Sequence, residues 1–250
     1  EGPYAPYDPD TRRGVLIEGY ELEPTIFHSY NYAYYDNILT KIGFLKKQDT
    51  FALNAKIDDI TLHKLKRFSK IFNNNYDVEI RNVNFKKIEQ DIDDVAMILT
   101  KATDEQNYQD APTKEVIKEV FKSLRAFLVE DYIKIARDKK TKEPIGFCLV
   151  MLDYNQVFKK TKGKINLFKL IKAKKEIKKV IGKLQYVVPE YQKTGLIAAI
   201  FYEILHAMNK NHITEFEAGT ILDNNERSYS VFFHLGGKVV KRFRIYRRSF

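Results

Sequence analysis

The chain has 250 residues, a formal net charge of +10 and an ordinary globular composition, with 44% hydrophobic and 13% aromatic residues. This composition excludes collagen-like, mucin-like and wholly disordered proteins, and a chain of this length can bury a real core. The single cysteine, Cys148, excludes an intrachain disulfide and any zinc site built from several cysteines. It fits a reducing, cytoplasmic setting.

The positive charge is concentrated in one segment. Residues 158–183 contain eleven lysines, no arginine and one glutamate, and the rest of the chain is neutral. Nucleic acid is therefore an unlikely partner, since it favours a broadly basic surface. Apolar residues at helical spacing predict a basic amphipathic helix over 165–182. This helix could pack on the domain with solvated lysines, or it could bind an anionic membrane surface or an acidic partner.

The first 75 residues predict a strand, a helix, a strand and a helix, over 15–17, 30–42, 44–53 and 57–72. Gly43 is placed to end the first helix. The run Asn73-Asn74-Asn75 predicts a loop, and we place a domain boundary there. No apolar run is long enough to predict a transmembrane helix.

The remaining residues predict the order β-α-α-β-β-insert-β-α-β-α-β, over 78–83, 85–102, 113–128, 133–136, 145–151, 184–188, 194–210, 216–222, 224–235 and 239–247. Thr113 is the expected N-cap of the second of these helices, and Val116 and Val120 are expected to face inward. The pattern predicts a mixed α/β fold in which helices flank a sheet.

A helix–glycine–strand pattern occurs twice, at a constant offset of 193 residues. Ile38-Leu39…Ile42-Gly43 aligns with Val231-Phe232…Leu235-Gly236. This repeat predicts that residues 1–74 are the end of a first unit plus a linker. Residues 75–250 would then form a complete second unit that contains the lysine-rich insert, and most of the first unit would precede Glu1.

The most informative segment runs from Val187 to Ile200, where a predicted strand ends at Pro189 and a polar turn with Gly195 enters a helix. Such a turn directs backbone N–H groups and the positive end of the helix at one point, which suits a pyrophosphate. Gly195 would let the ligand approach the backbone closely.

This segment resembles the V-x-P-x-x-[QR]-x-x-G-x-[GA] motif of the GNAT superfamily of acyl-CoA-dependent N-acyltransferases, although Ile197 departs from it. Residues 224–236 are similar to the family's helix before the last strand. The resemblance implies a GNAT-like fold, acetyl-CoA or another acyl-CoA as co-substrate, and a small-molecule or peptide amine as acceptor. The cofactor-binding residues it implies are Tyr186, Val187, Val188, Gln192, Lys193, Thr194, Gly195, Leu196, Ile197 and Asn224.

Catalysis in this family is direct attack of the amine on the thioester, for which a base accepts a proton and an acid can donate one. Phe232 stands where the family usually has a tyrosine acid, so we predict Tyr229 as the acid and Glu217 as the base. Two alternatives stay open, a catalytically degenerate module that binds a ligand or partner, and an anionic-surface protein acting through residues 158–183. No metal is expected, because the five histidines show no metal-ligand spacing.

Overall fold

The computed structural model describes residues 1–3, 13–103, 111–163 and 173–249. The strands within these residues are β1 Val15–Glu18, β2 Leu45–Lys56, β3 Val78–Asn82, β4 Ile133–Asp138, β5 Pro144–Leu152, β6 Lys179–Val187, β7 Glu215–Leu222 and β8 Lys238–Arg247. The helices are α1 Tyr34–Lys41, α2 Asp59–Asn75, α3 Ile88–Thr103, α4 Lys114–Leu124, α5 Asn155–Lys160, α6 Leu196–Lys210 and α7 Glu226–His234. None of the described helices is long and apolar enough to cross a membrane.

The chain divides into two compact units. The terminal unit comprises Glu1–Lys56, Asp153–Ile181 and Glu215–Phe250, and the central unit comprises Ile57–Leu152 and Gly182–Thr214. Strand β6 is shared, because its first residues belong to the terminal unit and the others to the central unit. The boundary predicted between residues 74 and 75 rests on the sequence repeat and not on spatial contacts, so it stays a prediction.

The sheet of the terminal unit has a local two-fold symmetry. Its strands follow the order β1-β8-β2-β7, and each of these neighbours is antiparallel. In the β2–β8 pair, Thr50 faces Phe243, and the 193-residue offset maps this pair onto itself. When the offset is applied to any other β2–β8 pair, the result is another observed pair; for example, Leu45–Arg247 becomes Asn54–Lys238. The two register shifts of this strand pair are related in the same way. Both copies of the sequence repeat therefore have the same elements, α1–Gly43–β2 and α7–Gly236–β8.

The central unit places helix α6 close to its sheet. Strands β3, β4 and β5 pair antiparallel in that order, and α2 packs along α6. A Cβ atom on Gly146 of β5 would lie 3.1 Å from Leu196 and 3.3 Å from Ile200, so the absent side chain permits this close approach. Ile200 and Ile204 of α6 are fully buried. Apolar burial of this kind fixes the start of α6 at the end of β6.

The mixed α/β fold is confirmed, but three local predictions are wrong. Asn73-Asn74-Asn75 forms the last turn of α2 rather than a loop, because Tyr76 donates its N–H to Phe72 and the two rings stack. Val116 and Val120 of α4 are half exposed rather than inward. The first helix begins at Tyr34 rather than Tyr30.

The predicted lysine-rich helix is also wrong from Lys174 onward. Residues 164–172 lie outside the described residues. From Lys174 the chain forms one short 3₁₀ turn, and β6 then begins at Lys179. Val180 and Ile181 are both buried, as on a strand that packs on both faces, where successive side chains point in opposite directions. Val180 fitted the helical spacing by coincidence.

Candidate functional site

The turn that precedes α6 is built from a short 3₁₀ segment and two residues with positive φ. Val188 donates its N–H to Ile145 of β5 at 3.0 Å, which fixes the end of β6. Residues Pro189–Tyr191 then form the 3₁₀ turn. Lys193 has φ of 61° and Gly195 has φ of 96°, and Gly195 is the N-cap of α6. Only the glycine adopts this left-handed conformation without strain.

The N–H groups at the start of α6 point out of the helix. Ala199 is bonded to the Gly195 carbonyl at 3.1 Å, and Leu196 lies 3.4 Å from the Thr194 hydroxyl. The N–H groups of Ile197 and Ala198 therefore fall in the first turn, which has no intrahelical acceptors. Together with the helix dipole, these donors favour an anion at this end of α6.

The other cofactor-binding residues implied by the resemblance surround the same turn, except for Asn224. Gln192 lies with its side-chain amide 3.4 Å from the Val187 carbonyl, and the Thr194 hydroxyl donates to Tyr191 at 2.7 Å. Tyr186, Val187 and Ile197 are half-buried, Val188 and Leu196 are buried, and Lys193 is exposed. All of them belong to the central unit, so the motif read from the sequence lies within one unit.

Asn224 lies in the terminal unit, exposed in the turn between β7 and α7. Its neighbour Asn225 is the residue that caps α7, because its side chain accepts a hydrogen bond from the Ser228 N–H at 3.2 Å. The local role of Asn225 is therefore to start a helix. A cofactor contact by Asn224 stays a prediction.

Helix α7 carries the two aromatic residues considered for the acid. Phe232 is buried, and its ring stacks on Phe216 of β7 at 5.4 Å. Tyr229 is half-buried between Phe51, at 5.3 Å, and Phe233, at 5.4 Å. The position that matches the family's tyrosine is thus a core position here, whereas Tyr229 keeps a partly accessible phenol.

Glu217, the predicted base, is buried in the terminal unit with partners on both carboxylate oxygens. Oε1 accepts from the Thr25 hydroxyl at 2.6 Å and from Lys241 Nζ at 3.0 Å, and it lies 3.4 Å from His28 Nδ1. Oε2 lies 2.5 Å from Lys179 Nζ. We call these residues, with Asp153 at 3.6 Å from Lys179, the ionic cluster.

The ionic cluster shifts the pKa values of its members in opposite directions. Burial raises the pKa of Glu217, but the adjacent His28 and the charges of Lys179 and Lys241 outweigh it, so the pKa is well below its ordinary value. Burial lowers the pKa of Lys241 and raises that of Asp153. A carboxylate with a lowered pKa is a weak proton acceptor. The role of Glu217 as a base stays a prediction.

Of the ionic cluster, sequence analysis singled out Glu217 only. Lys179 was assigned to the lysine-rich helix, but its ammonium instead pairs with Glu217. Lys159 and Lys160 pair with Glu23 and Glu176, so part of the lysine segment is neutralised locally. Binding of an anionic surface by this segment stays a prediction. In the described ranges, no three His, Cys, Asp or Glu side chains are grouped to hold a metal ion.

No protein-family model and no curated protein sequence matches the chain. Several solved structures are similar to it. A GCN5-related N-acetyltransferase from Sphaerobacter thermophilus superposes with a TM-score of 0.56 at 11% identity, over 85% of this chain and 55% of that one. A tandem GNAT protein from the clavulanic acid biosynthesis pathway superposes with a TM-score of 0.53 at 11% identity, over 93% of this chain and 62% of that one.

A third similar structure is the GCN5-related glucosamine N-acetyltransferase region of a fungal multi-domain β-N-acetylglucosaminidase. Its TM-score is 0.54 at 9% identity, over 84% of this chain and 22% of that one. The chain thus spans less than two-thirds of the length of each of these three structures. At these identities the likeness concerns the fold, which is the GNAT superfamily fold, an acyltransferase fold.

Proposed function

Because the chain has the GNAT fold, we propose that it binds an acyl-CoA at the turn before α6 and transfers the acyl group to an amine. The observation that carries the proposal is this turn, where Gly195 in the left-handed conformation opens a 15-residue helix whose first N–H groups point outward. The acceptor is a small-molecule or peptide amine. Acetyl-CoA is the first donor to test.

The chemistry needs two proton transfers. A base removes a proton from the ammonium, the amine nitrogen then bonds to the thioester carbonyl carbon, and the carbon–sulfur bond breaks. The thiolate that leaves takes up a proton. Of the two predicted residues, Tyr229 has a partly accessible phenol that could give this proton, whereas the lowered pKa of Glu217 weakens it as a base.

Two glycines provide a matched test of acyl-CoA binding. Gly195 and Gly236 have φ of 96° and 84°, so alanine is strained at both. A Cβ at Gly195 would lie 3.9 Å from Phe72, and a Cβ at Gly236 would meet nothing within 4 Å. Each alanine should cost about 1 kcal/mol of folding free energy. Only Gly195→Ala brings a methyl group to the turn, where it should weaken CoA binding about tenfold or more.

The measurement is isothermal titration calorimetry with CoA and acetyl-CoA on the wild type and both variants. The proposal expects saturable binding by the wild type and by Gly236→Ala. If the wild type binds neither ligand at millimolar concentration, the proposal is wrong. Equal losses in the two variants would assign the effect to backbone strain.

A second candidate, a GNAT-like module that binds acyl-CoA without catalysis, is supported by Phe232. Its ring is buried on Phe216, at the position where the family usually carries the acid. Thiol release from acetyl-CoA, measured with a panel of primary amines, separates the two candidates. Binding without release by any amine would favour the module, and release abolished by Tyr229→Phe would favour the transferase.

Two further statements belong to the proposal. We place the activity in the cytoplasm, and we assign residues 1–74 to the end of a first GNAT-like unit plus a linker. The local two-fold symmetry of β2 and β8 supports the second statement, because it relates one strand from each proposed unit.

A further inference from the structure

Three aromatic rings border the turn before α6. Phe72 and Tyr76 come from the end of α2, and Tyr191 comes from the 3₁₀ turn. The rings of Phe72 and Tyr76 stack, with centroids 4.9 Å apart and planes 18° apart, and the ring of Tyr191 lies 5.8 Å from that of Tyr76. Because a Cβ on Gly195 would lie 3.9 Å from the Phe72 Cβ, the end of α2 lies beside the turn.

Tyr76 is the member of the group that is open to solvent. Phe72 is buried, whereas Tyr76 remains 36% exposed. The backbone of Tyr76 is held by its N–H bond to the Phe72 carbonyl, and the Tyr191 phenol is held by a hydrogen bond to Asp138. The ring of Tyr76 is therefore ordered by its neighbours while a good part of it stays accessible.

An ordered and accessible aromatic ring is suited to stacking on another flat ring. Little conformational entropy is lost on binding, because the side chain is already fixed by its neighbours. Stacking of a nucleobase on an aromatic side chain is favourable for every base, since each base has a π-face. The same turn offers backbone N–H groups and the exposed Lys193 to phosphate groups. A ligand that fits both features has a base linked to phosphates.

We propose that Tyr76 is the platform on which the adenine base of the acyl-CoA stacks. This inference rests on the proposed function, because it takes the pyrophosphate to lie at the turn before α6. The adenine is the flat aromatic part of the ligand, and it is joined to the pyrophosphate through the ribose. Tyr76 would then contribute to affinity for the nucleotide part and would leave recognition of the acyl-bearing arm unchanged.

The test compares CoA with 4′-phosphopantetheine, which keeps a phosphate for the turn but lacks the adenosine. Ligand-observed NMR titrations are made on the wild type, Tyr76→Leu, Tyr76→Phe and Tyr35→Leu. The leucine keeps an apolar contact with Phe72 but has no π-face, so CoA should bind about tenfold more weakly. Tyr76→Phe keeps the ring and should bind CoA as the wild type does. Tyr35 is an exposed tyrosine of the terminal unit, and its replacement should change nothing.

Each outcome decides for or against the proposal. Wild-type affinity of Tyr76→Leu for CoA would overturn it, and so would an equal fold-loss for CoA and 4′-phosphopantetheine, which would indicate a distorted turn. If the wild type binds neither ligand, the proposed function itself fails. If Tyr76→Leu does not fold, intermolecular NOEs between the adenine protons and the Tyr76 ring of the wild type decide, and their absence in the saturated complex would overturn the proposal.

Discussion

The two copies of the repeat in the terminal unit have the same elements, but their helices are covered differently. Leu235, just after α7, is 7% exposed, whereas the equivalent residue just after α1, Ile42, is 49% exposed. Helix α1 has no buried residue at all among its eight. Because the strands of the two copies pair symmetrically, the local sequence pattern builds the same helix–glycine–strand structure twice. The apolar residues of each helix stabilise the fold only as far as neighbouring elements cover them.

The copies also differ in the connection between strand and helix. Strand β7 ends at Leu222 and α7 begins at Glu226, but β1 ends at Glu18 and α1 begins only at Tyr34. The longer connection of the first copy brings Thr25 and His28 onto Glu217 and Lys241 of the second. The first copy therefore supplies groups that the buried charges of the second require, since a buried charge without partners is costly.

The largest expected effect comes from breaking the ionic cluster at Lys241, whose equivalent in the first copy is Gln48. Lys241→Met removes a buried ammonium beside Glu217 and should lower the free energy of unfolding by about 3 kcal/mol. Gln48 is half-buried and makes one long hydrogen bond, to Asp223 at 3.3 Å, so Gln48→Met should cost about 1 kcal/mol or less. Urea denaturation followed by circular dichroism measures both values.

A double variant sharpens the same comparison. Glu217→Gln and Lys241→Met together remove both charges of one pair, so their combined cost should be smaller than the sum of the single costs by about 1 kcal/mol or more. Strictly additive costs would show that the two side chains are not coupled. The ionic cluster would then not explain why Lys241→Met costs more than Gln48→Met.

The second prediction concerns the helices and uses nearly the same truncation in each copy. Leu235→Ala removes a buried side chain and should cost about 2–4 kcal/mol, because a cavity remains. Ile42→Ala removes a side chain that is half in solvent, so its cost should stay within about 0.5 kcal/mol. Thermal and urea unfolding of the two variants test this. Similar losses would mean that the apolar face of α1 is covered in solution.

The sequence predicted what depends on local periodicity. The start of α4 at Thr113, the course of α6 and the last strand β8 agree within about two residues, because apolar spacing, an N-cap residue and glycines act within one element. The same spacing misled at Val180, since a strand that is buried on both faces offers an apolar residue at every position, including those at helical spacing. Periodicity alone cannot distinguish these two situations.

The ionic cluster was out of reach of sequence analysis for a different reason. Thr25 and Glu217 are separated by 192 positions, and nothing near Thr25 marks it as a partner of a buried charge. Lys241 gave a weak signal, a lysine between the apolar residues of a predicted strand. The turn at Gly195 was recognisable because all its parts are consecutive in the chain, whereas the exposure of Ile42 depends on what packs against α1.

The third prediction is a pH dependence that originates at Glu217 of the second copy. The pKa of Glu217 is lowered in the folded chain, so below its ordinary value of 4.5 the unfolded chain binds a proton that the folded chain does not. Stability is therefore complete above pH 4.5 and is lost as the pH falls towards the folded pKa. The loss attributable to this group is at most about 1.4 kcal/mol per pH unit.

Urea midpoints measured between about pH 6 and pH 3 give this slope. Glu217→Gln should be less stable than the wild type at neutral pH but should show a shallower decline in acid. Parallel declines in the two proteins would mean that Glu217 titrates normally in the fold, which would restore it as a candidate base.

The smallest effect is expected at the asparagines that occupy equivalent positions before the two helices. The Asn31 side chain accepts from the Leu16 N–H at 2.7 Å and donates to the Leu16 carbonyl at 3.1 Å, whereas Asn224 is exposed in its turn. Asn31→Ala should therefore cost about 1 kcal/mol and Asn224→Ala about 0.5 kcal/mol or less. Hydrogen exchange should also show faster exchange of the Leu16 amide in Asn31→Ala, because this amide loses its acceptor. An unchanged exchange rate would mean that Asn31 does not hold β1.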